Sequence, residues 1–169
     1  MLHHLEFEQW VPFPLPRVFA LFSNPENLPR IMPTASATKI VRLTRTPPPS
    51  PPAGTAAEQT AGVGTVIVTS FRIVPFLPLR AQWIAHITEF EWNHHFADVQ
   101  DKGPFKTWHH RHEFAAETRN GVEGTLVRDI IDYDLGFGLM GSLANRIFVV
   151  PQMQSTFAAR QKILPDLLS

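Results

Sequence analysis

Residues 105–134 read FKTWHHRHEFAAETRNGVEGTLVRDIIDYD and contain two segments in which apolar and polar side chains alternate. An alternation with a period of two is typical of a β-strand that buries one face. Asn120-Gly121 separates the two segments and is a dipeptide typical of a tight hairpin turn. The stretch therefore predicts two antiparallel strands, Phe105–Glu117 and Gly124–Asp134.

Five further strands are predicted towards the N-terminus, where short segments rich in Val, Ile, Thr and aromatic residues lie between turn residues. They are His3–Val11, Ala37–Thr44, Val63–Val74, Leu79–Phe90 and Asn93–Gln100. Between the first two strands the sequence predicts two short helices, one beginning at Pro16 and one capped by Asn24 and ended by Pro33. Turns are expected at Pro75–Pro78 and Asp101–Pro104, and the last five strands follow one another as a meander.

A change of period after Gly136-Phe137-Gly138 predicts a long C-terminal helix, from about Leu139 to Leu167. Pro151 lies inside it and is expected to kink the helix or to split it in two. The layout indicates an α+β fold in which a strongly curved antiparallel sheet of seven strands surrounds the C-terminal helix. We expect one domain covering residues 1–169.

Residues 46–60, TPPPSPPAGTAAEQT, are rich in proline and show no periodicity. They predict a long, flexible hairpin loop that is partly polyproline II. An insertion in a surface loop costs little conformational free energy, so the segment needs no function to persist. The alternative is a docking peptide for a protein partner, which would place the interaction within residues 47–57.

The composition excludes several classes of function. Fifteen Lys and Arg balance fifteen Asp and Glu, so neither a nucleic-acid footprint nor a polybasic membrane patch is expected. The chain has no cysteine, which excludes disulfides, thiolate zinc sites and cysteine nucleophiles. No window approaches the roughly 20 apolar residues of a membrane span, and Met1–Glu6 is unlike a secretory signal. We expect a cytoplasmic protein with no integral membrane association.

The inner face of the strand from Phe105 is identified by its two largest apolar side chains, Trp108 and Phe114. His110 and His112 have the same parity along the strand, so they are expected to face the interior as well. A register shift of one residue would instead turn all four side chains to solvent.

Two carboxylates are expected beside His110. In plausible hairpin registers, Asp98 on the preceding strand and Asp129 on the following strand reach it from opposite sides, which would fix its tautomer and favour its charged form. The cluster then has two interpretations. It is either a hydrogen-bonded network that braces the sheet, or a site where His110 acts as a general acid or base or donates to a ligand oxygen.

The eight histidines of the chain raise the question of a metal site. His110 and His112 lie two residues apart on one strand and, together with Asp98 or Asp129, offer suitable ligand atoms. A third compact ligand motif such as His-Glu-x-x-His is missing from the sequence. The sequence therefore predicts neither a metal site nor a cofactor.

The stretch FADVQDKGPFKTWHHRHEF, residues 96–114, closely resembles one bacterial family. It is the START-like (SRPBCC) superfamily branch described as polyketide cyclase/dehydrase, coenzyme Q-binding-like or cell division inhibitor-like. Further similar positions are Gly124–Asp129, Tyr133, Asn24–Leu28 with Pro33, and Phe157-x-x-Arg160. The resemblance implies the helix-grip fold of birch pollen allergen-like proteins, and it implies ligand binding more directly than catalysis. The chain departs from the family pattern in the proline-rich segment and at Pro151.

We therefore expect a binding protein for a small hydrophobic molecule such as a lipid, a quinone or a polyketide-like ring. A single helix cannot fill the concave face of a wide twisted sheet, and apolar aromatic side chains suit the wall of the remaining space. The expected ligand-binding residues are Trp83, Phe96, Trp108, His110, His112, Phe114, Val127, Ile131, Tyr133, Phe148 and Phe157. The alternative activity is a cofactor-free cyclase, dehydratase or hydrolase with catalytic residues His110, Asp98 and Asp129. In the simplest alternative, the aromatic side chains only fill a solid core.

Overall fold

The computed structural model describes residues 1–53, 55, 58–72 and 79–169. These residues form one antiparallel sheet with the strand order β1-β7-β6-β5-β4-β3-β2. The strands are β1 Leu2–Val11, β2 Lys39–Thr44, β3 Val66–Arg72, β4 Arg80–Glu91, β5 His95–Lys102, β6 Thr107–Arg119 and β7 Val122–Asp134. The predicted sheet of seven strands, with the last five in meander order, is confirmed, and β1 completes the sheet by pairing with β7.

Short helices connect β1 to β2, as predicted. They are α1 Leu15–Ser23 and α2 Leu28–Ile31, with 3-10 turns at Pro25–Asn27 and Thr34–Ser36. The predicted cap at Asn24 is confirmed, because its side-chain oxygen accepts a hydrogen bond from the backbone N–H of Glu26 at 3.1 Å.

Most strand boundaries differ from the predicted ones by a few residues. The turn predicted at Asp101–Pro104 begins later, because β5 continues to Lys102 and pairs there with Ile84 of β4. The Asn120-Gly121 turn is confirmed, since both residues have positive φ, at 51° and 79°, as a two-residue hairpin loop requires. Residues 73 and 74 of the predicted third strand, and the turn predicted at Pro75–Pro78, lie outside the described residues.

The sequence predicted a kink or a split at Pro151. The C-terminal helix continues through Pro151, so it is not split there. It comprises α3 Gly138–Ala144, a π-helical turn Asn145–Val149 and α4 Val150–Leu168. Proline removes one backbone donor and crowds the carbonyl four residues earlier. The wider π-helical turn lies immediately before Pro151 and accommodates both effects.

The proline-rich segment contains no helix or strand among its described residues. Trp92 Nε1 donates a hydrogen bond to the Pro49 carbonyl at 2.9 Å. The two ends of the segment meet, because the Gly62 N–H donates to the Thr46 carbonyl at 2.8 Å. The flexibility of the segment stays a prediction.

Two apolar clusters pack between the sheet and the helices. One surrounds Phe19 of α1 and includes Phe96, Phe114 and Val127. The other is formed by Trp108, Ile131, Tyr133 and Phe157. Each fully buried side chain of this size contributes about 1.5–3 kcal/mol to folding.

The C-terminal helix lies along the β1 edge of the sheet. The Phe157 ring stacks on Phe7 of β1 with 4.1 Å between the ring centroids. Gln9 of β1 donates to the Gln161 carbonyl at 2.8 Å, and Gln161 donates to the Glu8 carbonyl at 3.0 Å. Among the described residues, none of the helices combines the length and the apolar composition needed to cross a bilayer.

Candidate functional site

A polar cluster lies on the inner face of the three central strands, β5, β6 and β7. Asp98 of β5 pairs with His110 of β6, and His112 of β6 pairs with Asp129 of β7. Directly paired residues project to the same face of an antiparallel sheet. The strand register therefore brings together all four polar residues that the sequence predicted for this face.

Asp129 lies at the centre of the cluster and is 2% exposed. Its Oδ1 accepts a hydrogen bond from His110 Nε2 at 3.0 Å. His112 Nδ1 is 2.7 Å from the same oxygen, but the ring orientation leaves this contact out of line for a hydrogen bond. The other carboxylate oxygen, Oδ2, accepts from an Nη of Arg160. Asp129 thus contacts His110 and His112 of β6 and an arginine of the C-terminal helix.

Arg160 is a member of the cluster that was not assigned to the site from the sequence. Its guanidinium lies over the rings of Phe157 and Phe22, with 4.4 and 5.3 Å to the ring centroids. Burial lowers the pKa of Arg160 to about 9, which still leaves it charged at pH 7. The signal for it was present in the sequence, because Phe157 and Arg160 are three residues apart and share one helix face. A charged residue on a buried helix face needs a partner of opposite charge.

The two histidines are neutral at pH 7. Burial lowers the pKa of His110 well below its ordinary value, and the neighbouring His112 lowers it further. Burial also lowers the pKa of His112, with Arg160 as the second cause. The expected stabilisation of a charged His110 by its flanking carboxylates is therefore outweighed by loss of hydration. A neutral imidazole keeps one ring nitrogen with a free lone pair.

Asp98 differs from Asp129 in having no hydrogen bond among the described residues. Its Oδ2 lies 4.0 Å from His112 Nε2, and its side chain is 20% exposed. Burial raises the pKa of Asp98, because the carboxylate has lost much of its hydration without gaining a donor.

Aromatic side chains continue the inner face beyond the polar cluster. Trp108 is 8% exposed, and its Nε1 donor has no hydrogen-bond acceptor among the described residues. Trp83 packs edge-on against it, with ring centroids 5.0 Å apart. The nearby Tyr133 hydroxyl is paired, since it donates to Asn145 Oδ1 at 2.6 Å.

The structure gathers nearly all the predicted ligand-binding residues on this inner face. Those that are buried or half-buried there are Trp83, Phe96, Trp108, His110, His112, Phe114, Val127, Ile131, Tyr133 and Phe157. Phe148 is not brought to them, because it is 52% exposed on the C-terminal helix. Catalytic roles for His110, Asp98 and Asp129 stay predictions.

Two surface cavities formed by described residues lie away from this cluster. One of about 420 Å³ lies between α1 and the end of the C-terminal helix, where Arg17, Leu21 and Leu168 contribute to its wall. The other, of about 550 Å³, is bordered by the proline-rich segment. Neither contains a residue of the predicted site.

Comparisons with known proteins agree with this architecture. The model of one family, described as "Polyketide cyclase / dehydrase and lipid transport", matches residues 11–156. No curated protein matches the sequence significantly.

Several solved structures have the same fold. TTHA0849 from Thermus thermophilus is 17% identical with a TM-score of 0.65, over 98% of this chain and 97% of that one. Norcoclaurine synthase from Thalictrum flavum is 14% identical with a TM-score of 0.63, over 99% and 87% of the two chains. Ara h 8.0201 is 15% identical with a TM-score of 0.58, over 97% and 99%. At these identities the likeness shows the fold alone, and it confirms the helix-grip architecture.

Proposed function

Since this chain belongs to the polyketide cyclase/dehydrase and lipid transport family, we propose that it binds a small hydrophobic molecule between the sheet and the C-terminal helix. A lipid, a quinone or a polyketide-like ring fits this proposal. The molecule would lie against the aromatic side chains of the inner face, with its polar end towards Trp108, His110 and His112.

The observation that carries the proposal is the unpaired donor of Trp108. A buried N–H without an acceptor costs about 1–3 kcal/mol, and buried indole nitrogens usually have a hydrogen-bond partner. Trp108 Nε1 has none among the described residues. A carbonyl or hydroxyl oxygen of a bound molecule would supply the missing acceptor.

The position of the C-terminal helix supports the same proposal. Its backbone packs close to β1, α1 and α2. Within the described part of the chain, the strands β2 to β5 do not come as close to it. Trp83 of β4 and Phe71 of β3 face each other on that side, with ring centroids 6.2 Å apart, and both remain half-buried. An apolar guest would remove their remaining surface from water, which contributes about 25 cal/mol per Å².

The proposal is tested by titrating the purified protein with a short-chain ubiquinone and with oleate, while recording tryptophan fluorescence. Native mass spectrometry of freshly purified protein would show in parallel whether an apolar molecule co-purifies. Trp108→Phe keeps an aromatic ring and removes the N–H together with part of the bicyclic indole, a loss of ring area that the control variant shares. It should weaken binding of an oxygen-bearing guest by about 2- to 10-fold, which is the net value of one hydrogen bond.

Trp92→Phe is the matched control, because the Trp92 N–H is already paired with the Pro49 carbonyl. It should leave the affinity of both probes unchanged. The proposal fails if neither probe binds and nothing co-purifies, or if Trp108→Phe and Trp92→Phe bind the guest equally well.

A further inference from the structure

The polar cluster also has the geometry of a metal-binding site. Asp98, His110 and His112 each offer one ligand atom, and these atoms all lie within 4.8 Å of one another. Three ligands around a tetrahedral ion, with bonds of about 2.1 Å, stand about 3.4 Å apart. The Asp98 Oδ2 to His112 Nε2 distance is 4.0 Å, so small side-chain rotations would complete the arrangement.

Asp129 and Arg160 supply the surrounding contacts that such a site needs. Histidines that bind a metal typically direct their second ring nitrogen at a carboxylate or carbonyl oxygen. His110 Nε2 donates in this way to Asp129 Oδ1 at 3.0 Å, and His112 Nδ1 lies 2.7 Å from the same oxygen without the alignment of a hydrogen bond. This leaves the opposite nitrogens, His110 Nδ1 and His112 Nε2, without a hydrogen bond among the described residues. Arg160 fixes the other oxygen of the same carboxylate.

The charges within the cluster favour a cation. Arg160 pairs with Asp129, whereas Asp98 has no Lys or Arg partner among the described residues and its ion-pair contact is with His112.

From this geometry we propose that Asp98, His110 and His112 bind a divalent transition-metal ion such as Zn²⁺ or Co²⁺. Two imidazoles and one carboxylate select such ions over Mg²⁺ and Ca²⁺, which prefer sites made only of oxygen ligands. Three protein ligands leave one position for water or another small ligand. The proposal does not depend on a hydrophobic guest, because all the contacts that support it are between side chains of this chain.

The chain offers an internal control for adventitious binding. Glu91, His94 and His95 also place three ligand atoms within 4.8 Å of one another, but Glu91 and His94 are exposed. His94 Nδ1 and His95 Nδ1 are already 2.9 Å apart and paired with each other. A cation attracted to any histidine cluster would go to this exposed group as readily as to the inner one.

The test uses the full-length chain without a histidine tag, freed of metal with a chelator and titrated with Co²⁺. Bound Co²⁺ is followed by its visible absorption and by the shift in melting temperature. The wild-type chain should take up one equivalent. Asp98→Asn replaces a side chain that has no hydrogen bond among the described residues. It should weaken Co²⁺ binding by more than about 10-fold, because even the loss of a residue that only orients a metal-binding side chain weakens metal affinity by that much. His94→Ala should leave binding unchanged.

A second variant, His112→Phe, keeps an aromatic ring against Phe96 and should also abolish Co²⁺ uptake. The proposal is overturned if the wild-type chain takes up no Co²⁺. It is equally overturned if His94→Ala abolishes uptake, or if folded Asp98→Asn and His112→Phe bind Co²⁺ as tightly as the wild type. The ubiquinone and oleate titrations of metal-free protein report on guest binding separately, so the two proposals fail independently.

Discussion

The ion pair between Arg160 and Asp129 connects the C-terminal helix to the sheet, and its loss gives the sharpest test of the structure. Arg160→Met keeps an unbranched apolar stem against Phe157 and removes only the charged head. The Asp129 carboxylate, 3% exposed in its side chain, then stays buried without its cationic partner. Removal of one partner of a buried pair costs about 3–5 kcal/mol. For a chain of this size that corresponds to a fall in melting temperature of about 6–20 °C.

The assay is urea unfolding followed by tryptophan fluorescence and extrapolated to water. Asp129→Asn and the double variant complete a double-mutant cycle, in which the double variant should be less destabilised than the sum of the two singles. Lys162→Met is the matched control, because Lys162 is exposed on the same helix and should change stability by under about 0.5 kcal/mol. A loss below about 1 kcal/mol for Arg160→Met, or strictly additive singles, would show that the ion pair contributes little to the stability of the fold.

Three further substitutions test particular contacts by the same unfolding assay. Gly124→Ala should destabilise the fold by about 1–3 kcal/mol, because the Cβ of an alanine at this position would lie 2.5 Å from Trp10 Cζ2. An unchanged stability would show that β1 packs less tightly on β7 than this distance indicates. Tyr133→Phe should lower the free energy of unfolding by about 1–3 kcal/mol, because it leaves the buried Asn145 oxygen without its donor. A decrease of less than about 0.5 kcal/mol would contradict the hydrogen bond. Phe148→Ser should change both stability and guest affinity very little, by under about 0.5 kcal/mol; a large loss in either would place Phe148 at the site after all.

The strands of the site could be predicted from the sequence because their side chains alternate around unambiguous anchors. Trp108 and Phe114 assign one parity of β6 to the interior, and the two-residue turn at Asn120-Gly121 then sets the register of β7. That register placed Asp129 on the inner face with the histidines. The pairing of Asp129 differs from the predicted one. Asp129 lies directly across from His112 and reaches His110 on the diagonal.

The helix side of the site was harder to predict. The face on which a helical residue lies can be predicted only if the period of 3.6 residues per turn continues without interruption. One regular period from Leu143 to Leu164 would place Leu143 and Ile147 on the same buried face as Phe157 and Leu164. The π-helical turn shifts the phase of the residues before α4 by about one position, so Leu143 and Ile147 are exposed and Asn145 is buried. Phe148, which the sequence placed in the wall, is exposed as well. The ion pair of Arg160 could not be identified for a different reason, since no local pattern specifies which carboxylate lies opposite a helix 31 residues away in sequence.

The π-helical turn has a consequence for how sequence change is tolerated in this helix. A π-helical turn is one residue longer than an α-helical turn, so deleting one residue from Arg146–Val149 would restore a regular helix and keep Gly141 and Asn145 in phase with α4. Regularising the turn without a deletion would instead rotate everything before it by about 100° relative to α4, and Ser142 and Arg146 would take the positions now held by Gly141 and Asn145. Gly141 packs directly against the Gly136 carbonyl, where even a Cβ would collide. At the present chain length, the wider turn is therefore what keeps a residue without a side chain at this contact.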